Sequence, residues 1–234
     1  MTATKDSNAL LLVYSEHGSQ LTLDEFNDWY DNEHVPLRKA IPGFHTFTRL
    51  TQTGDKKPTW AAIYDVESLD VLNSGPYAAL AETRSDREKD VLKRIGLLDR
   101  RLYRRNERAT RRSKEGFSSL ECGNVVVIVM FDVEAGLEDE VNRWYEEEHI
   151  NDLRKVPGWL FSDRYILEEA TITGVDKTLY PEATPKVLAI HYFASHGYSD
   201  TEEYGAAITT PWTVKIMAQL KNVSIQPWDV YKTF

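Results

Sequence analysis

Asn27-Asp28-Trp29-Tyr30-Asp31-Asn32-Glu33-His34 returns 115 positions later as Asn142-Arg143-Trp144-Tyr145-Glu146-Glu147-Glu148-His149. Each copy runs on to a Pro-Gly pair, at Pro42-Gly43 and at Pro157-Gly158. Conservative pairs fill the register beyond the motif: Val35 with Ile150, Ile41 with Val156, Phe44 with Trp159. Tryptophan and histidine are uncommon residues, so their joint recurrence marks a duplicated unit of roughly 110 residues. A duplicated unit carries any site it possesses twice.

Working outward, the apolar runs at residues 9–14 (ALLLVY) and 125–131 (VVVIVMF) precede the two copies and read as strands buried on both faces. A helix comes next. Thr22 or Asp24 can cap it, and Phe26, Trp29, Tyr30, Glu33, Leu37 and Ile41 fall on one stripe at helical spacing. Val141, Trp144, Tyr145, Glu148 and Val156 repeat that stripe, and each Pro-Gly ends its helix. Second strands are expected at residues 44–50 and 159–166, with Arg49 and Arg164 at matched places. Third strands fall at residues 60–66 and 187–193, now offset by 127, which predicts a 12-residue hairpin insertion within residues 168–185. Second helices are expected near residues 85–95 and 211–220, and last strands near 100–104 and 226–232.

Each half therefore reads strand-helix-strand-strand-helix-strand, the split βαβ arrangement. The predicted fold class is α+β: two ferredoxin-like βαββαβ repeats forming an intrachain pseudo-dimeric α+β barrel. The expected domains are residues 1–106 and 123–234, joined by a basic linker at 107–122. Both helices lie on one face of such a sheet, and a second copy can cover the other face, sheet against sheet.

The 234 residues suffice for a sizeable core, and 41% hydrophobic with 28% charged residues is the composition of an ordinary soluble globular protein. A net charge of −9 argues against a nucleic-acid partner. One basic stretch, Arg104, Arg105, Arg108, Arg111, Arg112 and Lys114, reads as a solvated linker, with an anionic partner surface as the alternative. Cys122 is alone, so no intrachain disulfide forms, a reducing compartment fits, and a catalytic thiol is a poor choice. Residues 9–13 are the only apolar run near the N-terminus, too short for a signal peptide or a membrane span. A cytoplasmic location without a membrane partner is the expectation.

The pattern W-Y-x-x-E-H, a short spacer and P-G-[FW] leading into a strand resembles the EthD-like branch of the dimeric α+β barrel superfamily. It occurs twice, at Trp29 to His34 and at Trp144 to His149, so the resemblance is to a tandem fusion of two units. It implies a pocket in each half between the concave sheet face and neighbouring loops, often with a histidine in proton transfer. It does not fix the chemistry, because that superfamily includes polyketide cyclases, muconolactone-type isomerases, decarboxylases, dehydratases, small monooxygenases, haem enzymes and stress-induced members without known activity. Its commonest state is a homodimer of single units, so a homodimer of pseudo-dimers is one expected assembly.

The candidate catalytic residues are His34, His149 and Glu33, since a neutral imidazole is the natural acid-base group near neutral pH. Tyr30, one turn before His34, and Asn27 can fix its tautomer, and Tyr145 and Glu148 are their counterparts in the second half. Arg49 is a candidate partner for a carboxylate or enolate. His191, inside an apolar strand opposite Tyr64 in the repeat, needs a hydrogen-bond partner and is a pocket candidate. The competing reading ties the repeated Glu-His pairs to structure alone, and the two motif tryptophans read as core wedges. No metal site and no cofactor is expected: there is no Cys pair, no helical His spacing, no phosphate loop, no dinucleotide fingerprint and no Gly-x-Ser-x-Gly.

These features point to a cofactor-independent lyase, isomerase or cyclase acting by histidine acid-base chemistry on a small apolar or aromatic, polyketide-like metabolite of secondary metabolism. The alternatives are a non-catalytic ligand-binding or stress-response barrel, and a haem- or oxygen-using member. Asp152 replaces Leu37 on the buried stripe and Asn151 replaces Pro36, which favours the first half as the active one.

Overall fold

The first apolar run becomes β1 (Ala9–Glu16), every residue of which is buried. The structure, a computed structural model, describes residues 7–52, 54–115, 117 and 123–234; Cys122 lies outside them. The described chain divides into two units, the first drawn from Met1–Arg104, Glu168–Thr184 and Tyr231–Phe234, the second from Arg105–Leu167 and Pro185–Val230.

In unit 1, β1 leads to α1 (Leu23–Trp29), a π-helical turn (Tyr30–His34) and α2 (Val35–Lys39). Then come β2 (Thr48–Gln52), β3 (Trp60–Val66), α3 (Leu69–Leu72), α4 (Gly75–Glu82), α5 (Asp86–Arg94) and β4 (Leu97–Arg105). The strands lie in the antiparallel order β4-β1-β3-β2, so Leu12 faces Ile63 on one side and Arg101 on the other. Alternate β1 residues Ala9, Leu11 and Val13 join Phe26, Trp29, Tyr30, Val91 and Ile95 in one core beneath the helices. Thr22 caps α1 by accepting from the Glu25 N–H at 3.1 Å, with acidic Asp24 and Glu25 in the first turn.

Unit 2 repeats the order of elements. After β5 (Arg112–Ser113) come β6 (Val125–Asp132), α6 (Glu138–Trp144), a π-helical turn (Tyr145–His149), α7 (Ile150–Leu153) and β7 (Trp159–Thr173). β8 (Val187–Phe193), α8 (Glu202–Thr209), α9 (Pro211–Met217) and β9 (Lys221–Thr233) complete it. Its strand order is β9-β6-β8-β7-β5. The Pro-Gly glycines hold left-handed backbone, Gly43 at φ 95° and Gly158 at φ 83°, which other residues adopt at a cost. Among the described residues, no helix is long and apolar enough to cross a membrane.

Three sequence expectations need correction. First, the motif helix does not keep a uniform 3.6-residue period. The Val35 N–H bonds the Tyr30 carbonyl and the Ile150 N–H bonds the Tyr145 carbonyl, five residues back instead of four. The extra residue rotates the next turn of helix, so Leu37 is 40% exposed and Asp152 pairs with Lys155 at 2.6 Å outside the core. The Asp152 objection to the second half therefore falls away. Pro36 is not the cause, because Asn151 occupies that place in the second π turn, its amide reaching back to the Glu146 carbonyl at 3.0 Å.

Second, the insertion is not a hairpin. β7 continues to Thr173, and residues 168–184 pack on the β4 side of unit 1 through Val175 N–H to Ile95 O and Asp176 N–H to Gly96 O, both 3.0 Å. Third, the basic stretch is not simply solvated. Arg112 pairs with Ser162 in β7, and Arg105 and Arg111 converge on the fully buried Asp163 carboxylate at 2.9 and 2.7 Å. A buried carboxylate needs such partners.

Candidate functional site

The π turns place histidine five residues after tryptophan directly against it. The ring centroids of Trp29 and His34 are 4.6 Å apart, and those of Trp144 and His149 are 4.3 Å apart. In unit 1, His34 Nδ1 meets Glu88 Oε1 at 2.8 Å, with both side chains buried. Burial pushes His34 down to about 3, with help from the Arg38 charge, against the opposing pull of Glu88. Burial alone would raise Glu88, but the His34 bond and the charges of Arg38 and Arg84 outweigh it and hold its carboxyl below the usual range. At neutral pH the pair is thus a neutral imidazole and a carboxylate. A carboxylate only accepts, so His34 donates from Nδ1 and its Nε2 carries the lone pair. That is the polarity of a general base.

His34 and Glu88 line a cavity of about 180 Å³ in unit 1. Leu11, Val13, Leu80 and Leu92 supply its apolar wall, and Arg38, Arg84 and Arg100 bring three guanidinium groups.

Unit 2 builds the same frame differently. Ser85 caps α5 and Thr210 caps α9, and each cap hydroxyl accepts the N–H of the third residue onward: Glu88 at 2.9 Å, Thr213 at 3.0 Å. Thr213 therefore stands where Glu88 stands. Its hydroxyl accepts from Trp144 Nε1 at 3.0 Å, while His149 Nδ1 is buried without a hydrogen-bond partner. In unit 1 the reverse holds, and the Trp29 Nε1 is the buried atom without a partner.

The unit 2 cavity is about 270 Å³ and largely apolar, with Phe131, Tyr145, Tyr198 and Met217 around His149 and His191. The exposed side chains of Ile208, Val223 and Ile225 also border it. His191 Nδ1 lies 2.8 Å from Ser162 Oγ, which also accepts from Trp159 Nε1 at 2.9 Å. Burial pushes His149 down to about 4 and His191 to about 3, so both rings are neutral.

Other expected site residues hold the frame together. Arg49 is buried, bonds Asp31 and Asn27 (the latter at 2.7 Å), and its guanidinium lies 4.5 Å from the Tyr30 ring and 4.6 Å from the Trp60 ring. Arg164 repeats this with Asn142 at 2.8 Å, Glu146 at 2.7 Å and the Tyr145 ring at 4.5 Å. Neither arginine is among the residues lining these two cavities, nor are Asn27 and Tyr30, whose hydroxyl accepts from Tyr64 at 3.1 Å. Glu33 accepts from Ser85 Oγ, and Glu148 from Thr210 Oγ1 at 2.6 Å. Both glutamates thus anchor the π turn to the cap of a following helix and stand outside the cavities. The sequence reading missed Glu88, Thr213, Arg38 and Arg84. Counting three residues from the capping Ser85 and Thr210 would have paired Glu88 with Thr213. Among the described residues, no three His, Cys, Asp or Glu stand together as metal ligands.

No family model matches the sequence, and no curated protein matches it. Solved structures of similar fold do. An anthrone oxidase-like protein is 12% identical over 98% of this chain and 94% of its own, with a TM-score of 0.64. A candidate monooxygenase from Fusobacterium nucleatum subsp. nucleatum is 10% identical over 97% and 94%, TM-score 0.58. An uncharacterized ferredoxin fold protein related to antibiotic biosynthesis monooxygenases, from Listeria monocytogenes, is 9% identical over 97% of each chain, TM-score 0.50. The chain thus has the mixed α/β, ferredoxin-like architecture of the α+β barrel proteins. At these identities the likeness speaks for the fold alone.

Proposed function

We propose that the chain is a tandem fusion of two EthD-like units whose first unit carries out acid-base catalysis without metal or organic cofactor. The reaction class is a lyase, isomerase or cyclase step on a small molecule with an acidic C–H. His34 is the base and Glu88 its positioning partner. The observation that carries this reading is the buried 2.8 Å contact between His34 Nδ1 and Glu88 on the wall of a cavity. It fixes one tautomer with the lone pair on Nε2, and the Glu88 carboxylate offsets part of the loss of basicity that burial causes. The arginines beside it offer charge to an enolate formed there. Names such as anthrone oxidase-like and monooxygenase among proteins of similar fold accord with a small-molecule ligand.

A second role belongs to unit 2. Thr213 in the place of Glu88 leaves His149 without a carboxylate, and the cavity around it is apolar. This favours a ligand-binding pocket without proton-transfer chemistry, the division of labour that fusion permits. Both cavities lie below the ~300–1,000 Å³ of typical small-molecule sites, so small metabolites suit them. A porphyrin is far larger than either and does not fit the residues as they stand.

The test is solvent deuterium uptake. Small aryl ketones, β-keto acids and enolisable carboxylates incubated in deuterated buffer lose a proton signal when a base abstracts it. Wild-type protein is expected to accelerate exchange of at least one compound, and His34→Gln to abolish the acceleration. Equal rates for the two proteins across the panel contradict the reading.

A further inference from the structure

The cationic end of the unit 1 cavity has a consequence beyond proton transfer. Arg38 donates to the His34 carbonyl at 2.8 Å and has no carboxylate partner among the described residues. Arg84, exposed near the cap of α5, has no hydrogen bond or ion pair among the described residues, yet its charge acts on both His34 and Glu88. Arg100 differs, being held by the Tyr77 hydroxyl at 3.2 Å and by Glu169 at 3.6 Å. The one acidic group lining the cavity, Glu88, is committed to His34. Arg38 and Arg84 therefore share one carboxylate, that of Glu88, whose neutral partner His34 leaves its charge in place, so the two cations exceed the one anion by a single positive charge. Unit 2 has no such feature, since no arginine or lysine lines its cavity.

We propose that the unit 1 cavity selects a small apolar molecule bearing one carboxylate, which Arg84 and Arg38 bind while the hydrocarbon body packs on Leu11, Val13, Leu80 and Leu92. A guanidinium presents two parallel N–H donors that match the two oxygens of a carboxylate, and a pair so formed is charge-assisted. The volume of about 180 Å³ suits an arene or short alkenyl body, and four apolar side chains beside two cations that share only the Glu88 carboxylate suit a monoanion. This deepens the reading above, because it names the substrate class of the same cavity, but it concerns binding and not the proton step.

Titration calorimetry with the full chain tests it, with benzoate as probe and benzamide as its uncharged isostere. Benzoate is expected to bind saturably with one site per chain and about tenfold more tightly than benzamide, the margin of a charge-assisted hydrogen bond. Arg84→Met is expected to erase the preference and leave benzamide unchanged, and Arg84→Lys to restore part of it. Arg84 is exposed, so these variants should keep the wild-type thermal midpoint. Benzoate binding by the wild type is read without any turnover, so its outcome is separate from that of the deuterium-uptake test, and failure of the catalytic reading is distinguishable from failure of this one. Absence of saturable benzoate binding, equal affinity for the two probes, or a preference that survives Arg84→Met overturns the proposal.

Discussion

Glu88 and Thr213 occupy the same place in the two units, three residues past a capping hydroxyl, and the residue found there bonds the histidine Nδ1 in one unit and the tryptophan Nε1 in the other. Glutamate takes the histidine Nδ1 and leaves the Trp29 Nε1 unsatisfied; threonine takes the Trp144 Nε1 and leaves the His149 Nδ1 unsatisfied. The same place in the frame thus sets a carboxylate against His34 in unit 1 and leaves His149 without one in unit 2.

The exchange can be made deliberately. Glu88→Thr removes a charge-assisted bond worth about 1.5–3 kcal/mol and offers Trp29 a neutral one worth about 0.5–1.5 kcal/mol. The expected net loss is about 1 kcal/mol, read as a small shift in the urea midpoint at constant m-value. Collapse of the fold would instead make Glu88 a structural anchor.

Thr213→Val keeps the shape and deletes the acceptor of the Trp144 N–H. Stranding a buried donor costs about 1–3 kcal/mol. Equilibrium denaturation should show that loss, and Trp144 emission should change with it. A stability equal to wild type would mean that the bond contributes nothing.

Arg49 is bound within the frame, to Asp31 and Asn27. Arg49→Met leaves Asp31 and Asn27 without the guanidinium that joins them, and breaking a buried ion pair costs about 3–5 kcal/mol. The thermal midpoint should drop sharply while benzoate binding by the protein that remains folded is unchanged. Loss of binding with unchanged stability would return Arg49 to the ligand site.

Acid sensitivity arises from the buried histidines. His149 and His191 fold with values of about 4 and about 3, below the ordinary 6.5, so folding favours their neutral forms. Their contribution is complete above the unfolded value and is lost as the pH falls toward the folded values, because the unfolded chain takes up protons that the folded chain refuses. Each can remove up to about 1.4 kcal/mol per pH unit in that window. Urea midpoints should therefore fall between about pH 7 and about pH 5, less so in His191→Gln. A flat profile would show that these rings are solvated.

The repeat was legible because tryptophan and histidine are rare and fell in register, and the strands were legible because β1 and β6 are continuous apolar runs. β3 and β8 form where they were expected, at Trp60–Val66 and Val187–Phe193. The helix wheel failed after Tyr30, since a wheel at 100° per residue has no place for a π turn, and so it buried Leu37 and misplaced Asn27 beside His34. Instead Asn27 holds Arg49. Glu88 was invisible for a different reason. It lies 54 residues from His34 on a strongly charged helix, and only the fold brings them together. The basic stretch misled because the countercharges of Arg105 and Arg111 come from Asp163, more than 50 residues away in sequence and brought near only by the fold.

The most direct test is the protonation of His34 itself, read from long-range proton-nitrogen correlations of labelled protein at neutral pH and assigned with His34→Gln. A proton on Nδ1, a bare Nε2, and loss of this fixed tautomer in Glu88→Thr are the predicted results. A proton on Nε2, or a doubly protonated ring, would contradict the assignment of His34 as the base.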